Sequence, residues 1–100
     1  MKYRISHAPQ VKDQIRRLHE SAKRADVELE FIKALKQVVQ HLEDHPLSWG
    51  DPEYNLKHAD SVVCHGIVSP LVVRFAVLQV EHVVHIMDIK PLVGSALESD

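Results

Sequence analysis

Two apolar runs near the C-terminus constrain this chain more than any other feature: Leu71-Val72-Val73-Arg74-Phe75-Ala76-Val77-Leu78 and Val83-Val84-His85-Ile86-Met87-Asp88-Ile89. Both are rich in β-branched residues, both are too short to stand as independent helices, and only Gln79 to His82 separates them, so they predict a hairpin. A third run, Ser61 through Val62, Val63, Cys64 and His65, precedes them. Gly66 allows a bend or bulge there, and Ser69-Pro70 supplies the turn into the next strand. The economical reading is a β-meander.

The first half of the chain has a different period. Lys2 to Ser6 alternates, with Tyr3 and Ile5 on one side and Lys2, Arg4 and Ser6 on the other, as a short strand requires. Pro9 suits the first turn of a helix, and Val11, Ile15, Leu18 and Ala22 then recur on one helical face, leaving Arg16, Arg17, Lys23 and Arg24 off it. Asp26 is placed to cap a second helix whose first turn carries Glu28 and Glu30. Its core stripe is Val27, Phe31, Leu35, Val38 and Leu42, widened by Ile32, Ala34 and Val39. A face that broad predicts contact with both the first helix and a sheet. The spacing therefore predicts helices over 9–24 and 26–44, the second ended by Pro46. Residues 47–57, with Trp49-Gly50-Asp51-Pro52, read as a turn-rich link, and residues 93–100 as a partly frayed tail.

One hundred residues suit a single domain. No stretch approaches the ~18 consecutive apolar residues of a membrane span, and Met1-Lys2-Tyr3-Arg4 leads directly into a patterned segment, so a cytoplasmic protein without a membrane partner is expected. Cys64 is the only cysteine, which excludes an internal disulfide and predicts a small buried apolar residue. Charge is unevenly spread. Residues 1–45 hold nine Lys or Arg against seven Asp or Glu, whereas residues 46–100 hold three against seven. The basic excess with which a protein clamps nucleic acid, by neutralising phosphates and releasing counterions, is missing. Eight histidines make the surface charge depend on pH.

Several residues bear on chemistry. Alternation sets Arg74 with Val72, Ala76 and Leu78, opposite the larger Leu71/Val73/Phe75/Val77 face, so Arg74 is expected on the open face of the sheet. His82 and His85 are three apart and point to opposite sides of an extended strand, which without a bulge prevents both from binding one metal. His85 is grouped by direction with Val83, Met87 and Ile89 and reads as a half-buried, hydrogen-bonded histidine. His41-Leu42-Glu43-Asp44-His45 has the i, i+4 spacing of helical zinc sites but lacks the acid immediately after the first histidine, and Pro46 disturbs helical geometry at His45. No metal site is expected. Trp49 is expected to pack over the helix end.

This order of elements resembles the RelE/ParE superfamily of bacterial toxin–antitoxin toxins. The resemblance is carried by the opening Tyr3-Arg4-Ile5-Ser6 with Ala8-Pro9, the helical pair, the link Asp44-His45-Pro46-Leu47-Ser48-Trp49-Gly50, and the hairpin from Pro70 to Val77 and Val83 to Ile86. It covers residues 1–92 as one domain and implies an α+β fold, β-α-α-β-β-β, with the helix pair packed on one face of an antiparallel sheet. It further implies a toxin of a type II pair that slows growth through mRNA cleavage or through a DNA topoisomerase and is neutralised by a cognate antitoxin. It implies no cofactor and is compatible with a homodimer. The alternative is a non-catalytic protein-binding module on the same fold that has lost toxicity. RNA-cleaving members acting on the ribosome place an arginine in the strand before the last hairpin turn and basic, His or Tyr groups at the end of the final strand. Arg74 matches the first position and Lys90 the second. No tyrosine follows Tyr54, and the chain finishes the strand with Pro91-Leu92. The resemblance thus names Arg74, His65 and His85 as catalytic candidates, and Lys90, Lys57 and His82 as substrate-binding ones. Cleavage of RNA by its own 2′-hydroxyl needs a base, a cation for the phosphorane and an acid for the leaving oxygen, and only part of that set is visible.

Overall fold

Alternating β-branched residues and two helical stripes become, in the computed structural model, five strands and three helices over residues 2–56 and 61–98. β1 (Arg4–His7) leads into α1 (Pro9–Arg24) and α2 (Glu28–Asp44); after the short α3 (Pro46–Trp49) come β2 (Asp51–Leu56), β3 (Ser61–Val68), β4 (Leu71–Leu78) and β5 (Val83–Pro91). One sheet runs in the order β1-β5-β4-β3-β2. The meander of the last three strands is present, with β3, β4 and β5 antiparallel in sequence. The α+β class is therefore as expected, with two differences. The sheet is mixed and not wholly antiparallel, because β1 lies parallel to β5. The segment read as a turn-rich link contains α3 and an edge strand, β2, which pairs with β3 through a register shift at Pro52/Tyr54. Proline is tolerated at such an edge and beside a bulge, where its missing N–H breaks no ladder.

The corner between the helices also departs from expectation. Asp26 does not cap α2. It ends α1, taking a left-handed backbone with φ of 61° while its N–H bonds to the Lys23 carbonyl and the Val27 N–H to the Ala22 carbonyl. That pairing is a Schellman ending, which satisfies two orphan carbonyls and brings Val27 against the core. Aspartate is among the few residues that enter the left-handed region at modest cost. Glu28 instead accepts from α1, with His19 Nε2 2.6 Å from its Oε2 while the His19 ring stacks on Phe31.

The helix pair covers one face of the sheet. Phe31, Ala34, Val38 and Leu42 of α2 join Val11, Leu18 and Ala22 of α1 in a core completed by Cys64, Leu71, Val73, Phe75, Val77, Val84, Ile86 and Ile89. Trp49 packs at its rim, stacked between His41 (centroids 4.8 Å apart) and Phe75 (5.7 Å). Gly66 makes no bulge in the β3–β4 ladder. It makes room for the indole, since a Cβ there would lie 2.4 Å from the Trp49 ring. In the C-terminal segment Leu97 is buried in the same core and the Gly94 N–H bonds to Glu98 Oε1 at 2.9 Å. Among the described residues no helix is long and apolar enough to cross a membrane.

Two substitutions test this packing. Phe31 is 2% exposed. Phe31→Asp removes about 3–5 kcal/mol of burial and adds a buried charge, out of a stability of about 5–15 kcal/mol, so a thermal melt should show a lost or strongly lowered transition. Gly66→Ala should cost about 1–3 kcal/mol in a denaturant titration, because Trp49 cannot retreat from the new methyl without leaving Phe75.

Candidate functional site on the open sheet face

Strand register decides which polar residues meet. In β4, Leu71, Val73, Phe75 and Val77 are fully buried under the helices, so Arg74 lies on the opposite face, as expected. Arg74 is directly opposite His65 of β3 on one side and Asp88 of β5 on the other, while Asp51 of β2 is opposite His65. A row Asp51, His65, Arg74, Asp88 thus crosses four adjacent strands.

The place of Asp88 depends on a bulge. Arg74 is opposite Asp88 but Phe75 is opposite Ile86, leaving Met87 as the extra residue of β5. Before the bulge Val84 and Ile86 face the core; after it Ile89 does, 3% exposed. The grouping of His85 with Met87 and Ile89 is therefore corrected. His85 shares its face with Val83, Asp88 and Lys90, and Lys90, opposite Val72, joins the face that carries Arg74. Without the extra residue Lys90 would point at the helices.

Two contacts fix the ends of the face. Arg74 Nε donates to Glu53 Oε2 at 2.9 Å. The other Glu53 oxygen is 3.9 Å from His65 Nδ1, and Asp51 Oδ2 is 3.9 Å from His65 Nε2. Both distances are too long for hydrogen bonds, and Nδ1 of His65 is buried without a hydrogen-bond partner. A proton on His65 would face two carboxylates. On β1, Ser6 Oγ is 2.8 Å from His85 Nδ1. When Nδ1 carries the proton and donates to Ser6, Nε2 of His85 is left as the basic atom.

The face thus brings together Arg74, His65, His85 and Lys90. It does not include His82, which takes φ of 59° in the β4–β5 loop, stacks on Tyr3 with centroids 3.7 Å apart and accepts the Arg4 N–H. That position lies four residues along β4 from Arg74, roughly 13 Å at the usual strand rise. Lys57 lies outside the described residues. Ser6, Asp51, Glu53 and Asp88 were missed as members of the face. Asp51 and Glu53 flank Pro52 in a segment read as turn. Asp88 carries a legible signal, because polar residues at 85, 88 and 90 share one side of a strand only if an extra residue intervenes.

Cys64 faces the core beside Phe75, as expected for a small buried residue. Burial pushes its thiol pKa up, and the carboxylates of Glu53 and Asp51 add to the rise. The thiol stays protonated and is no nucleophile at neutral pH.

The other titratable cluster is at the end of α2. Burial lowers the pKa of His41 below its usual 6.5, and the neighbouring charge of His45 lowers it further, against the pull of Asp44. A lowered native value means that the unfolded chain binds more protons in the interval between that value and 6.5. The contribution of His41 to stability is therefore complete above about 6.5 and is lost as the pH falls through its native pKa. Proton NMR titration of the His41 ring should give a midpoint under that of a free histidine, and His45→Ala should raise it.

In comparison with known proteins, no family model matches this chain and no curated protein matches it either.

Proposed function

We propose that this protein is a RelE/ParE-like toxin of a two-component toxin–antitoxin pair, acting through the open face of its sheet and neutralised by a partner protein. One observation carries the reading: the helices occupy one face only, and the register gathers Arg74, His65, His85 and Lys90 on the other. These side chains supply part of what 2′-hydroxyl cleavage of RNA requires. Arg74 is the cation for the phosphorane, His85 or His65 moves the proton, and Lys90 contacts the backbone. The Arg74–Glu53 pair is partly exposed, and a pair of that kind contributes about 0.2–1 kcal/mol.

A second reading, a non-catalytic protein-binding module on the same fold, is favoured by the acids around that cation. Asp51, Glu53 and Asp88 surround Arg74 and His65, and a phosphate chain meets repulsion there. Growth and cleavage separate the two. For the toxin, expression alone should arrest growth, co-expression of the gene beside it should restore growth, and primer extension should show transcripts cut on translating ribosomes. Arg74→Ala should then reduce cutting about a hundredfold or more while changing stability by no more than about 1 kcal/mol. Growth arrest without cut transcripts would point to a topoisomerase as the target. Harmless accumulation of soluble protein would overturn the toxin reading in favour of the binding module.

A further inference from the structure

The end of α2 holds two nitrogen donors that the open face does not use. His41 and His45 are one helical turn apart, and the His45 N–H still bonds to the His41 carbonyl at 3.0 Å, so the turn persists up to Pro46. Pro46 therefore does not displace His45 from its neighbour. His41 Nδ1 and His45 Nε2 are 2.9 Å apart, with the rings at 77° to one another. His41 is held in place. Its ring lies on Trp49 at 9° between planes, and Trp49 is wedged against Phe75 and the bare backbone of Gly66. Pro46, next to His45, is buried.

We propose that His41 Nδ1 and His45 Nε2 form a two-nitrogen chelate for a divalent first-row transition-metal ion of the copper(II) kind. Metal–imidazole bonds of about 2.0 Å meeting at a right angle set their nitrogens about 2.8 Å apart, close to the spacing found here. Metal binding replaces the hydrogen bond between these nitrogens: the ring that donates it shifts its proton to its other nitrogen through solvent, and the rings turn so that both lone pairs meet at the metal. Copper(II) is the ion favoured by such a pair. It binds nitrogen most strongly of the divalent series and accepts two cis imidazoles with water in its remaining positions. Structural zinc wants four protein ligands, and among the described residues no group of three or more His, Cys, Asp or Glu is placed to hold a metal. A ligand already positioned by packing loses little freedom on binding, which is the advantage His41 draws from its stack on the indole.

Trp49 is the only tryptophan and stacks on the proposed ligand, so an ion held by this pair lies close enough to quench it. The full-length chain is titrated with copper(II) chloride in a non-coordinating buffer at neutral pH, following tryptophan fluorescence and electron paramagnetic resonance. The expected result is quenching that saturates at one equivalent and a spectrum with two equivalent-class nitrogen couplings. His45→Ala and His45→Gln, both at an exposed position and both keeping the backbone carbonyl that accepts the Trp49 N–H at 3.1 Å, should weaken binding about tenfold or more. Circular dichroism of both variants should be unchanged, and His7→Ala should bind as the parent does. Quenching that is absent, fails to saturate at one equivalent, or survives undiminished in both His45 variants would overturn the chelate and leave a hydrogen-bonded histidine pair.

Discussion

Strand β5 is longer than its neighbour β1, and the hydrogen-bonding groups that outrun β1 set the terms for the rest of the sheet. β1 ends at His7, opposite Ile86, and the Ala8 N–H closes on the Ile86 carbonyl. Beyond that point β5 would present unpaired backbone beneath α1, and buried backbone polar groups must be satisfied. Two glutamines one turn apart on α1 do this. Gln10 Nε2 donates to the Met87 carbonyl at 3.0 Å, and Gln14 Oε1 accepts the Ile89 N–H at 2.9 Å. The glutamines continue the ladder where the strand stops, and they span the bulge. A side chain pair thereby fixes α1 on β5 and holds the extra residue in place, so the inward turn of Ile89 and the outward turn of Asp88 and Lys90 have one origin.

The two faces of the sheet consequently follow different rules. On the helix side every inward residue of β4 is apolar, and Cys64 behaves there as a small hydrophobe. On the open side charges meet in pairs and rows, with Arg74 against Glu53 and His65 between two carboxylates at 3.9 Å. Contacts of this kind contribute little to stability, and their value lies in arranging ionisable groups where a ligand can reach them. The helix end obeys a third rule, in which stacked rings of His41, Trp49 and Phe75 carry core rigidity out to a polar pair.

What the sequence disclosed and what it withheld divide along physical lines. Helices α1 and α2 and strands β3 to β5 were legible because each repeats its own period long enough to be counted: Val11/Ile15/Leu18/Ala22 for a helix, Leu71/Val73/Phe75/Val77 for a strand. β2 was not, because Asp51 and Pro52 carry turn chemistry and the strand owes its pairing to β3. Asp26 was misplaced because the same residue type serves a helix start and a left-handed helix end, and only the Val27 to Ala22 bond distinguishes them. The open-face site was legible in Arg74 but not in its partners. Register across strands is a tertiary property, and a one-residue bulge at Met87 reverses every direction after it.

The parallel pairing of β1 with β5 joins the earliest strand of this sheet in chain order to the latest. A chain emerging N-terminus first can assemble the α1–α2 corner early, since its contacts are local. The partner for Arg4 to His7, however, is not synthesised until Val83 to Ile86 appear. Until then the β4 edge, with Val73, Phe75 and Val77, is uncovered on the side where β5 will lie. The protein thus depends on long-range closure as its concluding event, with a high mean sequence separation between contacting strands and a nascent state that offers an apolar edge to other chains. The order in which the strands are translated thereby makes β5 the gatekeeper of solubility for this sheet.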